Sequence, residues 1–460
     1  MNVQQEIEKT VQKQRNFFHT GKTLTLEFRL KALHRLEKCI ISHEDEIVQA
    51  LHADLHKAEM ESYMTEIGMA IAEIRDVKKH LADWMKEQKV PTPIAQFPAR
   101  SFTIAEPYGV TLILAPWNYP FLLSFQPLAG AIAAGNCAIV KPSEYSPATG
   151  EVIERIIKDA FPEQYIAVIQ GDQRASAALL EERFDYIFFT GSASVGKLVM
   201  EKAARNLTPV TLELGGKSPC IVDETADLDL SAKRILFGKI LNSGQTCVAP
   251  DYVLVHESVE EELIRKLEKW TRKFLGKTSL ENPNYPKMIN EKHFARVKKL
   301  MEAGEIVVGG DVRAETLQIE PTVLKHVTQE DPIMQEEIFG PVLPILIYRS
   351  KEDLVSVIRS YEKPLALYLF TRNEEMEQWV LKNLSFGGGC INDTIIHLAT
   401  SEMGFGGVGM SGMGSYHGKF SFETFSHRKS IVKKALWLDL PMRYHPYTNL
   451  KEKVVRMAMK

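Results

Sequence analysis

Between Glu106 and Lys141 the chain carries no Asp, Glu, Lys or Arg, a run of 34 residues that is long enough to cross a bilayer. A membrane helix is excluded all the same. Pro116, Pro120 and Pro127 interrupt the run, Asn118, Gln126 and Asn136 are polar, and it opens with the β-rich stretch Val-Thr-Leu-Ile-Leu at 110–114. What remains is a strand–loop–helix–strand unit inside a large fold, because parallel strands covered on both faces read as unbroken apolar runs.

The rest of the pattern agrees. Short apolar β-type segments recur at 111–114, 138–140, 166–169, 186–189 and 210–214, most of them separated by room for a helix. Such alternation predicts an α/β fold with a doubly wound parallel sheet, whose ligands sit at the carboxyl ends of the strands. A second α/β lobe follows, with strands at 219–222, 252–256, 305–308 and 342–347 and helices at 230–241 and 259–275. The first ninety residues read as helices, with Leu26, Leu30, Leu33, Leu36 and Ile40 on one face. Residues 88–100 hold three prolines and form an arm or a crossing between lobes. The charged, aromatic-bearing tail from Lys419 joins the arm as a candidate intersubunit surface.

Composition removes several function classes. Lys plus Arg is 56 against 59 for Asp plus Glu, so no broad basic field exists to collect phosphates, and nucleic acid is not an expected partner. Five cysteines without a CxxC pair argue against a disulfide framework or a thiolate zinc site. The 13 histidines form no HExxH, so no metal is expected. The opening MNVQQEIEKTVQKQRNF lacks a signal-peptide core and the closing VVRMAMK carries no lipidation signal. A reduced, cytoplasmic protein without an integral membrane segment is expected.

Polar groups converge where the first strands end. Pro116-Trp117-Asn118-Tyr119-Pro120 follows the strand at 111–114, and Lys141-Pro142-Ser143-Glu144 the next one. Gly191-Ser192-Ala193-Ser194-Val195-Gly196 joins a strand to a helix, so backbone N–H groups at the helix start can face a pyrophosphate; lacking the middle glycine of GxGxxG, it reads equally as a plain turn. Lys141 and Glu144 suit ribose hydroxyls or a surface ion pair. Within 210–214, alternation sends Thr211 and Glu213 to one face of a buried strand, where a desolvated carboxylate gains the raised pKa that a general base needs; a structural, partnered glutamate is the rival reading. Cys247 ends Asn242-Ser-Gly-Gln-Thr-Cys247, on a loop rather than an apolar face. Cys39, Cys137, Cys220 and Cys390 lie on helix faces, at strand starts or after glycines. Asp223, Asp227 and Asp229 precede a helix and read as a turn and an N-cap, not a cation site.

With those residues in view, the chain resembles the aldehyde dehydrogenase superfamily from about Pro107 to His427. PWNYP at 116–120, KPSE at 141–144, FTGSASVGK at 189–197, LELGGKSP at 212–219, GQTC at 244–247 and EEIFGPVLP at 336–344 stand in family order. GMSGMGSYHGKFSFETFSH at 409–427 looks most like the class 3 and fatty aldehyde branch. The resemblance implies an NAD(P)-binding domain over 1–87 and 105–210, a catalytic domain over 211–417, and a small β oligomerisation arm and tail over 88–104 and 418–460, in a homodimer. It also assigns Cys247 as nucleophile, Glu213 as general base and Asn118 as oxyanion donor. Lys141 and Glu144 fall on adenosine-ribose positions, Gly191, Ser192 and Gly196 on the phosphate turn, and Trp117, Glu337 and Phe339 near the nicotinamide half. NAD is the expected cofactor, with NADP possible, because Glu144 repels a 2′-phosphate. Tyr63, Tyr119, Ile395, Ile396 and His417 are expected to line an aldehyde funnel. The implied reaction oxidises medium- or long-chain aliphatic or aromatic aldehydes to acids through a thiohemiacetal and a thioester. The competing readings are a coenzyme A-acylating or phosphorylating semialdehyde dehydrogenase, which a water-activating Glu213 opposes, and a non-catalytic scaffold, which retention of all three residues opposes.

Overall fold

In this computed structural model, which describes residues 3–459, strands numbered in chain order build two central sheets, an arm sheet and a small hairpin. Residues 1, 2 and 460 of the expected segments lie outside the described range. The charge-free run forms β3 (Val110–Leu114), the helix Leu122–Ala134 and β4 (Cys137–Lys141), every residue of these three elements being buried. The helix runs through Pro127, contrary to the expectation that this proline interrupts it. One proline removes only one main-chain donor, and burial of the whole helix outweighs that loss.

β3 and β4 pair in parallel with β5 (Ile166–Val168), β6 (Tyr186–Thr190) and β7 (Val210–Glu213) in the order β7-β6-β3-β4-β5, and β17 (Gly412–Met413) adds an antiparallel edge to β7. The chain enters at β3, winds one way through β4 and β5, then crosses to β6 and β7. That places a topological switch point between β3 and β6, where a doubly wound sheet opens a crevice. The loops leaving those two strands carry Trp117, Asn118, Gly191 and Ser192.

The second sheet has the order β10-β13-β14-β9-β8-β15-β16. Its strands are β8 (Pro219–Val222), β9 (Tyr252–His256), β10 (Glu305–Val308), β13 (Thr322–Lys325), β14 (Val342–Tyr348), β15 (Ala366–Phe370) and β16 (Gly388–Ile391). All pairs are parallel except β10 with β13. β11 (Val312–Arg313) and β12 (Gln318–Ile319) make the hairpin. Both lobes are therefore doubly wound α/β layers, as the alternation implied.

The sheets put the divide between lobes later than the 210/211 boundary read from sequence. β7 stays in the first sheet to Glu213, and β17 returns to it before 417. The polar Glu213 is the last residue of β7, so the apolar alternation weakens before the strand ends. The arm is a three-stranded antiparallel sheet of β1 (Gln88–Val90), β2 (Ala99–Pro107) and β18 (Ser426–Lys434), with β18 matched to β2 along nine residues. The helix Gly418–Thr424, expected to belong to the tail, packs on the helices Leu122–Ala134 and Gly68–Trp84 of the first lobe. No helix among the described residues is long and apolar enough to cross a membrane.

Candidate active site

Cys247 follows the helix Leu228–Ile240, which Asp227 caps through the Leu230 N–H. The chain then makes a left-handed turn in which Asn242, Ser243 and Gly244 have φ of 50°, 54° and 73°. Non-glycine residues avoid that region, so the turn needs outside support. Asn242 Nδ2 donates to the carbonyls of Asn118 (2.7 Å) and Gln245 (3.2 Å), while its N–H donates to Glu61 Oε1 (2.7 Å). Gln245 Nε2 donates to the carbonyls of Asn242 and Lys287, and its Oε1 accepts from the Ile289 N–H. The half-buried Cys247 is thus carried on a tied turn.

Asn118 reaches the same place from the loop after β3. Its Nδ2 donates one hydrogen to the Gln245 carbonyl at 3.0 Å, which fixes the amide plane and leaves a second N–H free to meet an oxyanion. Its own carbonyl accepts from Lys57 Nζ at 3.0 Å. Lys57 pairs with Glu66 at 2.5 Å, both fully buried, and Glu66 accepts the Phe121 and Leu122 N–H groups at the start of the buried helix.

Glu213, the last residue of β7, is buried with neither carboxylate oxygen partnered, and burial raises its pKa well above the usual carboxylate range. Burial pushes the Cys247 thiol up to about 12, helped by the nearby Glu337 and Glu213 carboxylates and opposed by the N–H groups of Cys247 and Val248. Burial therefore favours the neutral form of both groups, and Cys247, pushed up to about 12, is a thiol at pH 7 that loses its proton only at a cost.

Glu337 sits on a loop held from two sides. Arg296 donates to the Glu337 and Ile338 carbonyls, and Lys217 donates to Asp251 and to the Ile333 and Glu336 carbonyls. Asp251 accepts the Ile338 N–H. Burial, with Asp251 nearby, raises the Glu337 pKa to about 8. A Cβ at Gly215 would lie 2.2 Å from Glu337 Oε2, so glycine there leaves the carboxyl its space.

Two cavities, of about 170 and 290 Å³, meet at Cys247, which among the described residues is the one lining both. The polar cleft gathers Trp117, Asn118, Gly191, Ser192, Glu213, Glu337 and Phe339. The apolar funnel contains Tyr119, Ile395, Ile396 and His417, as expected, but not Tyr63. Tyr63 lines the neighbouring groove instead, because it belongs to a π-helical turn, Tyr63–Ile67, that reorients its side chain.

The cleft suits a dinucleotide. The helix Ala193–Ala204 starts at its edge with Ser192 as N-cap, a place where main-chain N–H groups face an anion. The Trp117 and Phe339 rings, 5.3 Å apart, offer an apolar wall. Lys141 and Glu144 lie outside this lining, at the end of the adjacent β4, joined by a 3.1 Å ion pair that presents a donor and an acceptor together. Gly196 does not line the cleft; a Cβ there would lie 2.8 Å from the Leu214 side chain, so it serves close helix–strand packing. Lys57, Glu61, Glu66, Asn242, Gln245, Lys217, Asp251 and Arg296 were not foreseen. Asn242, Gln245 and Lys217 stand within quoted motifs, and the others carry no local signal.

Three comparisons bear on this arrangement. A model described as the aldehyde dehydrogenase family matches residues 2–431. The chain is 50% identical over 433 residues to the 4,4′-diaponeurosporen-aldehyde dehydrogenase of Staphylococcus aureus, covering 94% of each chain. It is 45% identical to the dimeric NADP-preferring aldehyde dehydrogenase of Canis lupus familiaris, over 96% of this chain and 98% of that one. Among solved structures, the substrate-bound state of Staphylococcus aureus AldH superposes with a TM-score of 0.97 at 48% identity over the full length of both.

Proposed function

Since this chain belongs to the aldehyde dehydrogenase family and is an NAD(P)-dependent enzyme oxidising aldehydes to acids, we propose that Cys247, Glu213 and Asn118 carry that reaction. The supporting observation is that Cys247 alone lines both the apolar funnel and the polar cleft, so a carbonyl arriving through one meets the sulfur with the other on its far side. The Cys247 thiol loses its proton to solvent water and, as thiolate, adds to the aldehyde carbon, while the carbonyl electrons move to oxygen. The free N–H of Asn118 Nδ2 and a main-chain N–H at Cys247 hold that oxyanion. A nicotinamide dinucleotide, when bound in the cleft by Trp117, Gly191, Ser192, Glu337 and Phe339, with Lys141 and Glu144 at its ribose end, supplies the hydride acceptor. Collapse of the oxyanion leaves an acyl thioester on Cys247. Glu213, as carboxylate, then takes a proton from water, the hydroxide displaces sulfur, and the acid departs while Cys247 regains its proton from Glu213.

We assign the dinucleotide to the first-sheet lobe, propose that the arm sheet and tail join two copies of the chain, and infer a reducing, cytoplasmic setting from a mechanism that needs a free thiol; all five cysteines are unpaired. The roles are tested by Glu213→Gln. It is expected to retain a stoichiometric burst of NADH and to lose steady-state turnover by about 10²- to 10⁴-fold, the size of a general-base contribution. Loss of the burst as well would make Glu213 the base for the thiol, and full turnover would remove it from the mechanism.

A further inference from the structure

The funnel is not a closed pocket. Met64, Phe237 and Leu241 line it and also line a second groove of about 830 Å³. Val48, Ile240 and Leu275 give the groove an apolar stretch of wall beyond the three shared side chains, and the carboxyl-bearing Glu44, Glu59 and Glu61 also line it.

Met64 belongs to the π-helical turn Tyr63–Ile67, and the turn needs Gly68 after it, since a Cβ there would lie 2.9 Å from the Tyr63 carbonyl oxygen. A π turn adds a residue to the helical repeat, and here the consecutive Met64 and Thr65 both reach the funnel wall. Met64 is 42% exposed, and an unbranched thioether with three rotatable bonds adapts where a branched side chain cannot. Phe237, at the end of the nucleophile's own helix, and Leu241, just after it, form the fixed side.

We propose that Met64, Phe237 and Leu241 are a yielding partition between two chambers of one aldehyde channel. Short aldehydes end within the first chamber, and a long unbranched apolar chain passes Met64 and lays its distal carbons in the groove over Val48. The proposal rests on the reading of Cys247 as nucleophile, because that sulfur fixes where the channel begins. Each methylene moved from water into an apolar chamber is worth about fourfold in affinity, so several carbons in the second chamber dominate the selectivity between long and short chains.

The experiment is the ratio of kcat/KM for hexadecanal to that for hexanal, measured in the wild type and in Val48→Trp, which fills the groove from a position that does not touch the funnel. The expected result is a ratio at least tenfold lower in the variant, expressed in KM. Met60→Trp reads the same groove from a residue 79% exposed, and replaces the first variant if that one does not fold. An unchanged ratio, with hexanal still oxidised, overturns the second chamber and leaves the chemistry standing. Failure of the wild type to oxidise hexanal overturns the reading of Cys247, and the channel falls with it.

Discussion

Lys57 makes a hydrogen bond to the Asn118 carbonyl, a salt bridge to Glu66, and lies 4.0 Å from the centroid of the Tyr119 ring, all without exposure to water. It fixes the backbone of the proposed oxyanion donor while pairing with the carboxylate that caps the neighbouring helix. Lys57→Met strands Glu66 in the interior. The expected cost is about 3 kcal/mol in urea unfolding, the low end for a broken buried pair, since two main-chain N–H groups still serve Glu66 and it can protonate. Adding Glu66→Leu is expected to restore part of that stability without restoring kcat, because the Asn118 anchor stays lost. Recovery of both would reduce Lys57 to a packing residue. Neither residue was legible in sequence. Cys247, Glu213 and Asn118 could be singled out because each stands beside a turn or strand end, whereas Glu337 was reached only through the family resemblance. Lys57 and Glu66 are charges on amphipathic helical sequence, where solvent is the ordinary environment, and only contacts 55 to 61 residues away in the chain bury them.

The nucleophile turn is the element on which the site depends most. Its Gly244 combines a φ of 73° with a backbone approach so close that a Cβ would lie 2.3 Å from the Gly340 carbonyl oxygen. Neither constraint can relax independently, since Gly340 belongs to the loop that positions Glu337 and Phe339. Gly244→Ala is expected to cost about 1–3 kcal/mol in thermal unfolding and to lower kcat/KM by about 100-fold, the usual penalty for displacing a reacting group by an ångström. A variant with wild-type burst amplitude and rate would show that the turn tolerates the shift. Elements of this kind were half legible. Strands such as β3, β6 and β9 fall within a residue or so of where apolar runs placed them, because a buried parallel strand needs only β-branched and aliphatic residues. β15 and β16 went unread; β16, rich in glycine, is a strand only because β15 pairs with it. The left-handed turn itself leaves a single glycine as its trace.

At the scale of the whole molecule, the arm connects association to the aldehyde funnel. β18 lies along β2 for nine residues, and directly before it the helix Gly418–Thr424 packs on the first lobe and begins beside His417, which lines the funnel. Prolines and mixed charge set residues 88–104 and 418–460 apart in the sequence, but the pairing of β2 with β18 across more than 300 residues could not be read locally. The single chain leaves Ile94 81%, Phe97 55%, Val432 54%, Leu436 101% and Trp437 73% exposed around this sheet. These side chains come from the segment before β2 and from β18 and the residues after it, and we propose them as a contact surface between copies of the chain. The 52.0 kDa chain is therefore expected to sediment as a dimer at micromolar concentration. Leu436→Glu with Trp437→Glu is expected to yield a monomer, because burying two unpaired carboxylates in a contact opposes association. If the arm also steadies the funnel, that monomer should keep its NADH burst amplitude but show a raised KM for aldehyde, since Cys247 and its turn lie apart from β18 while His417 does not. A double variant that still sediments as a dimer would place the interface elsewhere, and a monomer with unchanged KM would separate association from substrate binding.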